Sequence, residues 1–293
     1  MSGTGGDSGV LYVVATPLGN QQDISSRAIA TLGEVDLIAA EDTRHSARLL
    51  EALGIGTPLI SFHDFSSEER LAGLIQRLQE GQSLALVSDA GTPCISDPGY
   101  ELVRAARHNG IPVLPIPGAS AAIAALSVSG LPSDRFLFEG FLPARSQARI
   151  TRLDQLAQED CTLIFYESPH RIVDCLEDLL TVVGPERELY LGRELTKKFE
   201  TSRLGRVAEI LAWVRADPQQ RKGEFVLVLA GRKRADSREE KIHEGLRVLQ
   251  LLAPELSLKR AARLAADITG APKNLLYQAA LQSASNAEPG QDD

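Results

Sequence analysis

The 293-residue chain has only three cysteines and no long hydrophobic run. Their number is odd and their spacing is not that of metal ligands; they are Cys94, Cys161 and Cys175. They argue against a disulfide framework and a zinc site and favour a reducing cytoplasm. No apolar run approaches the roughly 18 residues that a membrane helix needs. Residues 1–9 lack the apolar core of a signal peptide and predict a disordered leader. We therefore expect a cytoplasmic protein without a resident metal.

Several common ligand and nucleophile motifs are also missing. No G-x-G-x-x-G follows the first predicted strand, which leaves a dinucleotide-binding Rossmann site unsupported. The chain has no G-x-x-x-x-G-K-[ST] loop for nucleotide phosphates, and no serine stands in a nucleophile elbow. A ligand site in this chain must therefore be built from other loops.

The net charge of −8 is distributed unevenly along the chain. Residues 1–134 contain 7 basic and 15 acidic side chains, whereas residues 193–234 contain 11 basic and 5 acidic ones. An acidic half joined to a basic segment is compatible with a polyanion held against the second half. A solvated surface of mixed charge explains the same distribution equally well.

Apolar runs alternate with helical patterns over most of the chain. They predict two α/β domains with mostly parallel or mixed sheets, at residues 10–140 and 141–234. Residues 235–283 predict a small helical appendage that resembles a helix-turn-helix. Residues 284–293 are polar and predict a disordered tail.

Small-residue loops follow three predicted strands, with the sequences TPLGN, SDAGTP and IPGAS. Ligands bind at the carboxyl ends of strands in open α/β sheets, so these loops are candidates for one site. Gly91, after the strand Leu84–Val87, allows a ligand to approach the backbone closely. We expect Asp97 and Pro98 as the cap and first residue of the next helix, and Phe136–Glu139 as the last strand of this domain. A plain strand–turn–helix connection would have the same composition.

Six motifs, in the same order, resemble one family: VATPLGN, AAEDTRHS, VSDAGTPCISDPG, IPGASAAIAAL, FYESPHR and GRELTKKFE. Over about residues 10–282 the chain resembles the tetrapyrrole-methylase-like class of S-adenosylmethionine-dependent methyltransferases, and within it the enzymes that modify small-subunit ribosomal RNA. The resemblance implies two α/β domains with S-adenosylmethionine in a cleft between them, and a homodimer. It also implies 2′-O-methylation of the ribose of a decoding-centre cytidine in 16S rRNA.

The resemblance assigns cofactor-binding residues position by position. The first loop is often Gly-rich in this class, and Thr16-Pro17 replaces that pattern here, so this loop would act through its shape. The matching residues of the first predicted domain are Pro17, Leu18, Gly19, Asp89, Gly91, Ser120 and Ala121. Those of the second are Tyr166 and, in a less tightly patterned region, Leu195, Glu224 and Phe225.

Methyl transfer to a ribose hydroxyl is helped by a base that removes the hydroxyl proton. The candidate bases lie in loops after predicted strands and are Glu41, Asp42, Glu167 and His170, with Glu194 and Lys197 in a further loop. Asp42 equally suits a helix cap, and His170 equally suits a bond to a backbone carbonyl. Catalysis mainly by positioning of the reactants also stays open.

Basic side chains in these loops and in the last helices suit contacts with RNA phosphates. They are Arg44, Arg171, Lys197, Lys198, Lys259 and Arg260. Arg171 can instead pair with Glu167 and hold its loop. The terminal helices can instead serve dimerisation or packing.

Two other functions remain open at this point. The first is a methyltransferase of the same cofactor class that acts on a small molecule such as a tetrapyrrole, which would need neither the helical appendage nor the basic segment. The second is a non-catalytic subunit-binding or assembly factor, which would bind no S-adenosylmethionine.

Overall fold

The structure is a computed structural model that describes residues 9–232 and 237–285. It divides into two compact units, the first ending at Gly231 and the second beginning at Arg232. The strands are β1 (Leu11–Val14), β2 (Leu37–Ala40), β3 (Leu59–Ser61), β4 (Leu84–Val87), β5 (Val113–Ile116), β6 (Phe136–Phe141), β7 (Thr162–Glu167), β8 (Glu188–Arg193), β9 (Thr201–Arg206) and β10 (Phe225–Leu229). The helices of the first unit are α1 (Ser26–Glu34), α2 (Thr43–Ala52), α3 (Glu68–Gln79), α4 (Tyr100–His108), α5 (Ala121–Val128), α6 (Ser146–Leu156), α7 (Ile172–Val183) and α8 (Val207–Ala216). The second unit contains α9 (Ser237–Leu252), α10 (Leu258–Thr269) and α11 (Lys273–Ser285).

The first five strands form a parallel sheet in the order β3-β2-β4-β1-β5. Its central strands β2 and β4 are buried at every residue. Hydrophobic clusters cover both faces, one around Leu86 and Leu102 and the other around Ile38 and Val87. Burial on both faces explains why these strands are continuous apolar runs rather than alternating ones. This arrangement confirms the α/β fold class.

The second sheet is mixed, with the order β6-β7-β10-β8-β9. Only the β6–β7 pair is parallel, and β10 lies antiparallel to both β7 and β8. The expectation that the strand beginning at Phe136 closes the first domain is wrong, because β6 is the edge strand of this second sheet. Its exposed Phe136 and half-buried neighbours give it no alternation that assigns it to either sheet.

Helix α5 follows β5 of the first sheet but packs on the second. Ala122, Ala125 and Leu126 lie in one apolar cluster with Ile164 of β7 and Val226 of β10. Small side chains on this helix allow close contact with the sheet. Helix α5 therefore connects the two sheets, because it follows a strand of the first and packs on the second.

Side-chain caps start helices α1, α2 and α3, and the cap at Asp42 is the alternative that the sequence offered for that residue. The Ser25 hydroxyl accepts a hydrogen bond from the Ala28 N–H at 3.1 Å, and the Asp42 carboxylate accepts one from the Arg44 N–H at 2.8 Å. The Ser67 hydroxyl caps α3 in the same way.

Helix α4 begins differently, and the prediction that Asp97 caps it is wrong. Its N-cap is Gly99, with φ +125° and no side-chain capping bond. A Cβ at Gly99 would lie 2.6 Å from the Leu86 Cδ2 atom, so both the φ angle and the packing require glycine. Asp-Pro-Gly acts here as turn chemistry ahead of the helix, which frees Asp97 for another role.

The second unit is a small three-helix unit with its own core. Leu249 of α9, Ala261 and Ala265 of α10 and Leu276 of α11 are buried together. Gly270 ends α10 in the left-handed conformation, at φ +69°. The structure thus confirms the predicted helical appendage, which contains α9, α10 and α11. No helix in either described stretch is long and apolar enough to cross a membrane.

The predicted leader and tail lie mostly outside the described residues, as residues 1–8 and 286–293. Gly9 is buried and its N–H donates to the Leu78 carbonyl at 2.8 Å. At the other end, α11 extends to Ser285.

A buried ion pair links α6 to α7 beneath the second sheet. The Arg149 side chain is 2% exposed, and its Nε donates to the Asp178 Oδ2 at 2.6 Å. The Ser146 hydroxyl donates to the other oxygen of Asp178 at 3.0 Å. Removing one member of such a pair leaves an uncompensated buried charge.

We expect Arg149→Met to lower the free energy of unfolding by about 3–5 kcal/mol in urea titrations, because Asp178 then lacks its partner. Arg152→Met on the same helix is the matched control. Its partner Glu139 is 18% exposed and Arg152 itself 39% exposed, so the loss is smaller. The double variant R149M/D178L should be more stable than R149M alone, and a further loss would contradict this account.

Candidate active site

Hydrogen bonds tie together the three small-residue loops at the carboxyl edge of the first sheet. Thr16 and Gly91 exchange two backbone hydrogen bonds, with N···O distances of 2.8 and 3.1 Å. The Thr92 hydroxyl donates to the Ala119 carbonyl at 3.0 Å. The first, second and third loops are therefore linked in series and converge on one place.

These loops and one edge of the second sheet surround a cleft of about 290 Å³, which we call the acidic cleft. The predicted site residues that line it are Leu18, Glu41, Asp89, Gly91, Ser120, Ala121, Tyr166, Glu167, Glu224 and Phe225. Gly91 has φ +85°, and a Cβ there would lie 3.3 Å from the Leu18 Cδ2 atom. A side chain at position 91 would be strained and would narrow the cleft.

Carboxylates from neighbouring strand ends stand together in the acidic cleft. The Asp89 N–H donates to the Glu41 carboxylate at 3.3 Å, and the Asp42 N–H donates to the Asp89 carboxylate at 3.2 Å. Burial raises the pKa of Glu41, and the negative charges of Asp89 and Asp64 raise it further, against a lowering hydrogen bond from the Asp89 backbone. Like charges gathered in a part-buried cleft favour a cationic ligand.

A further carboxylate, Asp97, lines the acidic cleft and was not assigned to it from the sequence. Burial raises the pKa of Asp97 to about 6. A hydrogen bond with Ser88 opposes this rise, and the charges of Glu41 and Asp89 add to it. Asp97 is therefore a carboxyl group that titrates close to neutral pH.

The loop that carries Asp97 is tight and irregular. Cys94 and Ser96 have φ angles of +70° and +61°, which non-glycine residues rarely adopt. Such conformations concentrate at functional sites. The signal that could have placed Asp97 in the site is its Pro-Gly successor, which predicts a turn rather than a helix start.

Tyr166 of β7 joins the second sheet to the start of α5. Its hydroxyl accepts a hydrogen bond from the Ala122 N–H at 3.0 Å, while the α5 N-cap residue Ser120 makes no capping bond. Tyr166 thus satisfies a helix N–H that would otherwise have no partner. Its ring meets Phe138 and Phe141 edge-on, with centroids 5.0 and 5.7 Å away. Burial raises the pKa of the Tyr166 hydroxyl, so it stays protonated near neutral pH.

A second cavity of about 440 Å³, which we call the side cavity, adjoins the acidic cleft. The two share the lining residues Leu18, Asp89, Ala90 and Glu224. The side cavity is also lined by the predicted residues Pro17, Gly19 and Lys197, and by Gln21, His45, Arg48 and Leu49, which the sequence did not single out.

Lys197 is held firmly on one wall of the side cavity. Its ammonium donates to Glu224 at 2.8 Å and to Glu194 at 3.1 Å. Burial opposes the charge, but these carboxylates raise the pKa of Lys197 overall. A Cβ at Gly19 would collide with the Lys197 stem. The Lys197 side chain is therefore held in place at the cavity wall, and its charge is paired with those of Glu194 and Glu224.

Two candidate bases are committed to local structure. The Asp42 carboxylate caps α2 and pairs with Arg44, whose hydrogen bond lowers the pKa of Asp42 to about 2. The Glu167 side chain is fully buried and accepts hydrogen bonds from the Ser168 N–H at 2.7 Å and from Arg171 at 3.2 Å. Both arrangements favour a structural role for Asp42 and Glu167 over the role of a base.

The remaining predicted residues lie outside both cavities. Arg171 also donates to the Leu142 carbonyl at 2.6 Å, which favours its loop-holding role. Leu195 is buried in the core, and His170 is exposed. Lys198 lies beside the Phe199 ring, with its Nζ 5.5 Å from the centroid. Lys259 and Arg260 are exposed on α10 of the second unit.

Two family models match this chain. The model described as Tetrapyrrole (Corrin/Porphyrin) Methylases covers residues 10–211, which include both sheets except β10. The model described as the RsmI C-terminal HTH domain covers residues 239–284. The chain belongs to the tetrapyrrole methylase family, and the resemblance drawn from the six motifs is confirmed.

Several relatives share half or more of this sequence. The chain is 55% identical over 275 residues to "Ribosomal RNA small subunit methyltransferase I" of Pseudomonas aeruginosa, which covers 94% of this chain and 98% of the relative. It is 53% identical over 274 residues to the protein of the same name from Escherichia coli O157:H7, covering 94% and 95%.

Solved structures share the fold at lower identity. A uroporphyrin-III-C-methyltransferase from Thermus thermophilus has a TM-score of 0.54 and 25% identity, covering 76% of this chain and 94% of that one. A second structure of such an enzyme, complexed with S-adenyl homocysteine, has a TM-score of 0.53 at 19% identity, covering 76% and 98%. Diphthine synthase has a TM-score of 0.58 at 19% identity, covering 75% and 90%.

The raised pKa of Asp97 predicts a pH-dependent effect of Asp97→Asn. Between pH 4 and 6 folded Asp97 holds a proton that it loses on unfolding, so its contribution to stability falls as pH rises through this window. Above pH 6 Asp97 is ionised in both the folded and the unfolded protein, so the loss of stability that its burial causes stays constant. Urea titrations should show that Asp97→Asn is more stable, relative to the parent, at pH 7 than at pH 4, by about 1–2 kcal/mol after solvent screening is allowed for. Equal differences at both pH values would contradict the assignment.

Proposed function

We propose that this protein transfers a methyl group from S-adenosylmethionine to the ribose 2′-hydroxyl of a decoding-centre cytidine in 16S rRNA. The observation that carries the proposal is the acidic cleft, formed where three loops of a tetrapyrrole-methylase fold converge beside Tyr166. The names of relatives that match over nearly the whole chain support ribosomal RNA as the substrate.

The acidic cleft fits S-adenosylmethionine by charge and shape. The cofactor carries a positive sulfonium and an ammonium group, and Glu41, Asp89 and Asp97 bring negative charge to the cleft. Gly91 leaves the backbone open to close approach. The complex of a structural neighbour with S-adenyl homocysteine supports a cofactor of this type. When bound, the cofactor supplies an electrophilic methyl group.

The chain's own contribution is to position the acceptor hydroxyl and to receive its proton. Glu41 and Asp97 are carboxyl groups of the cleft whose pKa is raised, and a carboxylate with a raised pKa is a better proton acceptor near neutral pH. Asp42 and Glu167 are held in local hydrogen bonds and are less suited to this step. We therefore place proton acceptance at Glu41 or Asp97.

We also propose an oligomeric state, a cellular location, domain limits and a role for the second unit. We propose a homodimer in the cytoplasm, supported by the exposed apolar side chains of Ile123 and Val128 on α5 and Leu204 on β9. We propose domain limits just ahead of β6, in place of the predicted residue 140, and at residue 234 as predicted. The helical second unit, with exposed Lys259 and Arg260, is proposed to contact RNA.

Small ribosomal subunits from a strain without this methylation test the proposal. With labelled S-adenosylmethionine, the protein should place label on one cytidine ribose of 16S rRNA, located by nuclease digestion and mass spectrometry. A panel of tetrapyrrole precursors serves as the comparison. Label on a precursor and none on the subunit would assign the fold to a small-molecule methyltransferase instead.

Asp89→Ala should weaken S-adenosylmethionine binding about tenfold or more in titration calorimetry, because it removes a charged acceptor from the cleft. Glu101→Gln is the matched control, since Glu101 is an exposed carboxylate on α4 outside both cavities. Circular dichroism checks that both variants fold. An unchanged affinity of a folded Asp89→Ala protein would show that the cofactor lies elsewhere.

A further inference from the structure

The side cavity differs in charge from the cleft that it joins. The ionisable side chains that line the acidic cleft are carboxylates and the Tyr166 phenol. The side cavity adds three basic residues: His45 and Arg48 from α2, and Lys197. Because the two cavities share Leu18, Asp89, Ala90 and Glu224, a molecule in one lies directly beside a molecule in the other. Among the described residues, the acidic cleft therefore has no basic lining residue, whereas the side cavity has basic residues beside the shared carboxylates Asp89 and Glu224.

The basic groups of the side cavity are not equivalent. Lys197 is already neutralised by Glu194 and Glu224, within 3.1 Å of each. Arg48 is exposed, and among the described residues it makes no hydrogen bond or ion pair. A guanidinium with free donors at a cavity wall is suited to a phosphate oxygen. The contacts with an anion therefore fall to Arg48 and His45 rather than to Lys197.

The basic side of the cavity continues onto the protein surface. Arg44 and Arg48 are four residues apart on α2 and so lie on the same helix face. Arg44 pairs with Asp42, but both side chains are exposed, so this pair is weak and a phosphate can compete for the guanidinium. The side chains of Arg48 and His45 are exposed as well. A chain of phosphates can follow this face outward, whereas a single free anion would use only the cavity. The arrangement favours a polyanion that threads past the cavity.

We propose that the side cavity binds the sugar–phosphate backbone of the acceptor RNA, with Arg48 and His45 contacting the phosphate next to the nucleotide that is methylated. This inference rests on the proposed function and names the part of the site that holds its substrate. Arg48 and His45 are positioning residues that place the ribose beside the acidic cleft. Lys197, packed on Gly19, forms the rigid opposite wall.

The test measures methyl transfer to small ribosomal subunits by Arg48→Gln, His45→Gln and the double variant. We expect Arg48→Gln to raise the KM for subunits about tenfold with kcat little changed, since a lost phosphate contact weakens docking rather than chemistry. The calorimetric affinity for S-adenosylmethionine should stay within about twofold. Arg48→Lys should restore most of the KM, because a point charge also binds phosphate. Arg77→Gln, an exposed arginine of α3 that lines neither cavity, is the matched control.

A second measurement does not depend on methyl transfer. Filter binding of a 16S rRNA fragment across a salt series should give a slope of log K against log salt that is shallower by about one in Arg48→Gln than in the parent protein. One outcome is that the parent protein binds RNA with a steeper salt slope than Arg48→Gln and yet transfers no methyl group. That result would overturn the proposed function but keep the docking site. An unchanged slope and KM, or a parent that binds no RNA, would overturn the docking site itself.

Discussion

Mutual repulsion among carboxylates is the constraint on which this site depends. Glu41 follows β2, and Asp89 and Asp97 both lie in the loop after β4; their charges oppose one another in a part-buried cleft. The backbone bonds between Thr16 and Gly91, and the hydrogen bonds that Asp89 exchanges with its neighbours, hold these loops together. The fold therefore concentrates negative charge in the acidic cleft, which favours a cationic ligand.

The same logic explains why basic residues stand on α2. If the cofactor is cationic and the acceptor is a polyanion, a single uniformly charged cleft would repel one of them. Placing Arg48 and His45 on a separate wall lets each partner meet side chains of the opposite charge. Lys197 lies near the junction, and because it pairs with both Glu194 and Glu224 it adds no free positive charge there.

The fold was largely predictable, and the reasons are local. The strands of the first sheet are apolar runs, and Asp42 is a strong helix-cap signal. The assignment of β6 failed because pairing with β7 is a non-local choice that no pattern in Phe136–Phe141 encodes. Asp97 was missed because the sequence Asp-Pro suits both a helix start and a turn, and only the positive φ angle at Gly99 separates them. His45 and Arg48 gave no signal, since exposed basic residues on a helix are usually only solvated.

Tyr166 has a consequence for how far the site can open. A continuous path runs from Thr92 through the Ala119 carbonyl to the start of α5 and on to the Tyr166 hydroxyl, with hydrogen bonds of 3.0 Å at both ends. A hydrogen bond tolerates stretching by only a few tenths of an ångström before it weakens. An opening that separates these groups breaks one of the bonds and leaves a helix N–H or a threonine hydroxyl without its partner. Separation of the two sheets along this path is thus opposed by two hydrogen bonds, one on each side of the start of α5.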